Sequence, residues 1–121
     1  MLDITWMKCV GDKECGFEAL NLSHEHFDNC EGVYLIYYNG IDADPGRVVR
    51  AGQGVIRDRI AAHRKDPKIL AYTGKGLKVT WAKIPADKRD GVERYLSVAF
   101  NPLIGDRFPD RVSIEVNCPW D

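Results

Sequence analysis

The chain has 121 residues, 45% of them hydrophobic and 29% charged, with a formal net charge of −1 and four cysteines. That is enough for one compact domain whose core needs neither metal nor disulfide, and nothing in the composition marks a second domain. No apolar run approaches the roughly 20 residues of a membrane-spanning helix, and Met1-Leu2-Asp3-Ile4 lacks the basic-then-apolar layout of a secretion signal, so a cytoplasmic protein without membrane contact is expected.

Residues 1–30 read as an N-terminal extension. Cys9, Cys15, Cys30 and Cys118, with His24 and His26, hold enough thiol and imidazole for a zinc site, but Cys9-x5-Cys15 lacks the tight Cys-x2-Cys turn of a zinc knuckle. Buried or free thiols in a reducing cytosol are expected instead, with His24 and His26 in a surface loop. Val33, Leu35 and Tyr37 then alternate with Tyr34, Ile36 and Tyr38, the period-two pattern of a strand rich in β-formers. The run from Asn39 to Gly46 is dense in turn formers, and Arg47 to Ala51 reads as a returning strand that Gly52-Gln53-Gly54 ends, giving an antiparallel hairpin.

From Val55 to about Lys65 there is neither Gly nor Pro and the apolar spacing is helical, with Pro67 as a stop. Gly74-Lys75-Gly76 has no Walker spacing around it and reads as a turn before a third strand, Leu77 to Lys83. Asp87 or Asp90 is placed to cap a second helix that runs to Phe100 and ends at Asn101-Pro102. Val112, Ile114 and Val116 alternate with Ser113, Glu115 and Asn117 as a possible last strand. Trp6, Trp81 and Trp120 are expected in core or edge packing. The sum is an α+β domain with a central antiparallel three-stranded sheet flanked by helices. Its core covers residues 31–105, and a C-terminal segment covers 106–121.

Charge is unevenly spread. Residues 1–46 carry two Lys/Arg against nine Asp/Glu, for −7, whereas residues 47–68 carry seven (Arg47, Arg50, Arg57, Arg59, Arg64, Lys65, Lys68) against Asp58 and Asp66, for +5. A phosphate backbone responds to local potential, so such a stripe can dock nucleic acid, although a solvated helix face also looks like this.

At about 100° per residue, Val55, Ile56, Arg59, Ile60 and His63 fall within about 140° of arc, so an Arg and a His lie on the apolar side of their helix. An unpaired buried charge costs several kcal/mol, so both residues call for a partner or a ligand. On the second helix Val92, Leu96, Ala99 and Phe100 face the core with Glu93 at the edge. Glu93 then either looks into a cleft or forms a salt bridge with Arg59 that locks helix to sheet.

Together, Gly32-Val33-Tyr34, Arg50-Ala51-Gly52, Arg59, His63 and Glu93 resemble the GIY-YIG nuclease family, in order and in context. The resemblance spans about residues 31 to 105 and implies a metal-dependent endonuclease that hydrolyses phosphodiester bonds, most readily in DNA. It implies that Tyr34 helps activate the attacking water, that Arg59 and His63 serve the phosphate or orient the tyrosine, and that Glu93 binds one Mg²⁺ or Mn²⁺. Arg57, Arg64, Lys65, Gln53 and Tyr38 are candidate substrate contacts. Arg50 stands where the family has the second tyrosine. It either supplies a cation there, or Tyr37 or Tyr38 replaces the phenol, or activity is lost. Asn101 and Asn117 are both candidates for the asparagine the family places after the metal-binding helix. With little chain left for target recognition, sequence-specific recognition would need a loop, a homodimer partner or another subunit. The rival expectation is a non-catalytic module of the same fold that binds nucleic acid or protein.

Overall fold

A computed structural model describes residues 1–41, 43, 45–105 and 111–120. It is an α+β domain built on an antiparallel sheet of strands β1 (Cys15–Gly16), β2 (Glu31–Tyr38), β3 (Arg47–Val55) and β4 (Lys78–Lys83) in the order β1-β4-β2-β3. Three α-helices accompany it, α1 (Ile56–His63), α2 (Pro67–Leu70) and α3 (Ala86–Phe100). The sheet therefore has four strands, not three. The added strand comes from the N-terminal extension and pairs Cys15 with Val79. Two residues are too short a segment to show any alternation, so no pattern marked it.

Strand β2 is central, and every residue from Gly32 to Tyr38 is buried. Both faces of the sheet are covered: Tyr34, Ile36 and Tyr38 pack in one core with Ile56 and Ile60 of α1, and Val33, Leu35 and Tyr37 in another with Val92 and Leu96 of α3. This explains a strand apolar on both sides. Gly32 is required by the pairing itself, because a Cβ there would lie 1.9 Å from the Ala82 carbonyl oxygen.

Several boundaries move from those expected. Gly52-Gln53-Gly54 does not end β3 but continues it to Val55, with Tyr34 opposite Gly52 and Gly32 opposite Gly54. Helix α1 stops at His63, short of Lys65. Pro67 does more than stop a helix: it opens α2, where its missing N–H costs nothing, and the Asp66 side chain caps the turn by accepting from Lys68 N. Helix α3 begins before Asp87, with Pro85 at its N-cap, so neither Asp87 nor Asp90 caps it, and it ends at Asn101 in the left-handed region, φ +46°. The expected last strand joins the sheet nowhere among the described residues. Val116 makes a single parallel bridge to Leu2, and Ile114 N donates to the Gly91 carbonyl. Residues 106–110 lie outside the described residues.

The N-terminal extension lies against α1, held by two arginines. Arg57 donates to the Leu22 carbonyl at 2.6 Å and to the His24 carbonyl at 3.1 Å, and pairs with Asp28 at 2.9 Å. Arg64 donates to the carbonyls of Phe17 and Leu20. Backbone acceptors outside a ladder need such partners. Cys9 and Cys15 are joined as a disulfide rather than held as thiols, while Cys30 is a buried thiol. His24 is exposed as expected, but His26 is half-buried and accepts from Trp81 Nε1 at 3.1 Å. No group of three or more His, Cys, Asp or Glu able to hold a metal gathers among the described residues, and no helix is long and apolar enough to cross a membrane.

Gly32→Ala should lower unfolding free energy by at least about 2 kcal/mol in urea titration, because the new methyl meets backbone that cannot turn aside. A loss below half of that would show that β2 and β4 part easily at this point.

Candidate functional site

The site forms where β3 runs into α1. Because α1 starts directly after Val55, its first two turns lie against the end of the strand that precedes it, and Arg59 and His63, four residues apart, share one face. The Tyr34 ring crosses Gly52 on the neighbouring strand: a Cβ at Gly52 would sit 2.3 Å from the phenol oxygen. The oxygen reaches 2.5 Å from His63 Nε2. Gly54, at φ +127°, leaves room for the Arg59 stem, whose Cγ and Cδ would lie 3.4 Å from a Cβ there. Arg50, two residues before Gly52 on the same face of β3, completes the surround, and the positive charges of Arg59 and Arg50 both act on the Tyr34 phenol.

On the other face of β3, Gln53 points to α3. Its amide nitrogen donates to Asp90 Oδ1 at 2.5 Å and to Glu93 Oε2 at 2.8 Å. The fields of Arg50 and Arg59 act on Glu93 as well as on Tyr34. The phenol–imidazole pair and the Glu93 carboxyl thus share the field of two cations across the end of one edge strand.

These surroundings set the protonation states. Burial pushes the Tyr34 phenol up, against the two guanidiniums that favour its anion. Burial, reinforced by Arg50 and Arg59 and only partly opposed by Asp66, pushes His63 down to about 4. The imidazole is neutral at pH 7. In the 2.5 Å contact the phenol donates to Nε2 when the neutral imidazole carries its proton on Nδ1, and accepts from Nε2 in the other tautomer. Burial raises the Glu93 carboxyl, with Asp90 adding to the rise and Gln53, Arg50 and Arg59 opposing it.

Tyr34, His63, Arg59 and Arg50 therefore gather on one face of the end of β3, and Gln53 and Glu93 on the other, within the field of the two arginines. The other candidates do not. Arg57 and Arg64 hold the N-terminal extension, and Lys65 is exposed just beyond α1. Tyr38 stacks on Tyr72, ring centroids 6.3 Å apart, with the Lys75 ammonium 5.5 Å from its ring. Asn101 closes α3, and the Asn117 side chain bonds both backbone groups of Ile4. Glu93 has Gln53 as its direct neutral partner, and among the cations Arg50 acts on it more strongly than Arg59. Asp90 was missed as a site residue. It lies three residues before Glu93, a spacing that puts both on one helix face and was visible in the sequence.

A divalent ion of the Mg²⁺ class fits the donor chemistry. Asp90 and Glu93 offer hard carboxylate oxygens drawn together by one amide nitrogen, and such an ion takes one or two carboxylates and keeps its waters.

The His63 shift has a stability consequence whose sign can be worked out. Its folded-state value lies below the ordinary 6.5, so between about 6.5 and 4 the unfolded chain binds more protons, and stability is lost as pH falls through that window. The loss is on the order of 3 kcal/mol. Glu93, raised in the fold, works in the opposite sense as pH rises, so the His63 part is read as the difference between wild type and His63→Gln in urea titrations from pH 4 to 8. Parallel curves for the two proteins would mean that His63 is not held neutral by the fold.

No family model matches this chain, and neither a curated protein nor a solved structure matches it, so its function is argued from this geometry.

Proposed function

We propose that the chain is a metal-dependent phosphodiesterase of GIY-YIG type, an endonuclease acting on DNA. The reading rests on the Tyr34–His63 contact on one face of the end of β3 and Glu93 on the other, with the charges of Arg59 and Arg50 acting on both Tyr34 and Glu93. Each answers a separate need of in-line phosphoryl transfer.

Arg59, exposed, and Arg50, half-buried, bind phosphate oxygens and stabilise charge as it builds. Phosphate on these two cations offsets the positive field that helps hold His63 neutral, so the imidazole becomes a stronger base when substrate is present. Tyr34 then takes a proton from the attacking water as its own proton passes to His63 Nε2. Glu93, with Asp90 beside it, would hold Mg²⁺ or Mn²⁺, which when bound supplies Lewis acidity at the phosphate. Gln53 keeps the two carboxylates together until then.

A second reading has one observation in its favour: Tyr34 is fully buried, with no exposed surface. A fold in which the phenol only anchors the arginines would bind nucleic acid or protein without cleaving anything. With Arg57 and Arg64 committed to the extension, phosphate contacts in the basic stripe fall to Arg47, Arg50, Arg59, Lys65 and Lys68, which is few for tight binding. A second copy or a partner subunit would supply target choice.

The two readings separate on labelled linear, nicked, flapped and branched DNA with Mg²⁺ or Mn²⁺. Glu93→Gln should abolish cleavage with unfolding free energy changed by less than about 1 kcal/mol. Arg59→Ala should slow it by at least about 10²-fold. Binding that weakens with salt, ignores Glu93 and yields no product would favour the binding module.

A further inference from the structure

Of the three tryptophans, Trp6 and Trp81 are 9% and 3% exposed, whereas Trp120 is 46% exposed. Its ring is nevertheless fixed. It meets Tyr37 edge-on with centroids 4.8 Å apart and Phe100 at 90° and 5.4 Å. The Tyr37 O–H donates to Glu14, and Asn39 donates to the other Glu14 oxygen at 2.8 Å. Those bonds, with Lys78 and Lys8 nearby, hold the Glu14 carboxyl below its usual range despite its burial.

Two cavities open on either side of this indole, of ≈ 420 and ≈ 450 Å³, with Tyr37, Asn39 and Trp120 common to both. Lys8 lines the first and Arg47 the second. A half-exposed indole locked in orientation, with space beside it and cations at its margins, suits a planar base joined to phosphate. The Glu14 charge that would repel phosphate is engaged by Tyr37 and Asn39 and faced by two lysines. Arg47 at its margin and Gly52 in the site described above lie on one strand, about 17 Å apart at ~3.4 Å per residue.

We infer that the Trp120 groove is a second contact for single-stranded nucleic acid, in which a base stacks on the indole while Lys8 and Arg47 take the flanking phosphates. The inference rests on the phosphodiesterase reading and deepens it, by giving the substrate a single-stranded arm that leaves the cleavage site along β3. Stacking of one base on an aromatic ring accounts for roughly tenfold in affinity or more and tolerates any sequence.

The test is titration of the intact chain with an oligothymidine of about ten nucleotides, followed by tryptophan fluorescence, beside an abasic strand of equal phosphate count. The oligothymidine should quench the emission of Trp120, and the abasic strand should not. Trp120→Ala should weaken oligothymidine binding about tenfold and Trp120→Phe should restore part of the loss, while both cleave blunt duplex as wild type does. Equal affinity of wild type and Trp120→Ala, with duplex cleavage intact, would overturn the groove and leave the nuclease reading standing. Base-dependent quenching in a protein that cleaves nothing would support the groove and remove the nuclease. Equal quenching by both strands would overturn the stacking.

Discussion

The site depends on the bare backbone of Gly52. Strand pairing places Gly52 opposite Tyr34, and the tyrosine ring occupies the space where any other residue would carry its Cβ. Only then does the phenol oxygen reach His63, which is delivered to it because α1 follows β3 without a loop. The same absence of side chains along Gly52 and Gly54 gives room for the Arg59 stem and keeps that face of the strand thin. The two guanidiniums therefore act both on the phenol–imidazole pair and on the Glu93 carboxylate. One edge strand, stripped at alternate positions, is what lets the same two cations act on groups on both of its faces.

Arginine serves two unrelated purposes in and just beyond α1, and geometry decides which. Arg57 in α1 and Arg64 just beyond it meet the N-terminal extension, and their fork of N–H groups satisfies carbonyls that belong to no ladder. Arg59 lies on the side that meets Gly54 and is left to face solvent and the site. The basic stripe in residues 47–68 is thus less a phosphate-binding surface than its charge suggests, because part of it is structural.

What the sequence made legible followed from periodicity. The alternation from Val33 to Tyr38, the hairpin to Arg47, the helical spacing around Ile56 and Ile60 and the strand up to Lys83 all correspond to elements of the fold. Arg59 and His63 lie on one face of α1, as their spacing of four requires, and the Tyr34 oxygen meets His63 there. The rest depended on contacts between distant segments. Strand β1 exists only because β4 offers it an edge. The continuation of β3 through two glycines is set by the Tyr34 ring, which no local pattern records. The Cys9–Cys15 pairing, and the commitment of Arg57 and Arg64 to residues 17–28, come from how the extension folds back. Asp90 was visible at i, i+3 from Glu93, but its value as a cap candidate hid its part in the site.

The measurement that bears most directly on this account is ¹⁵N NMR of the His63 imidazole across a pH titration. If the phenol over Gly52 organises the site, His63 stays neutral until the pH nears 4, its Nε2 shows the shift of a nitrogen that accepts a hydrogen bond, and Tyr34→Phe abolishes that signature. A His63 that is protonated at its ordinary value, or whose Nε2 carries the proton at pH 7, would contradict the account.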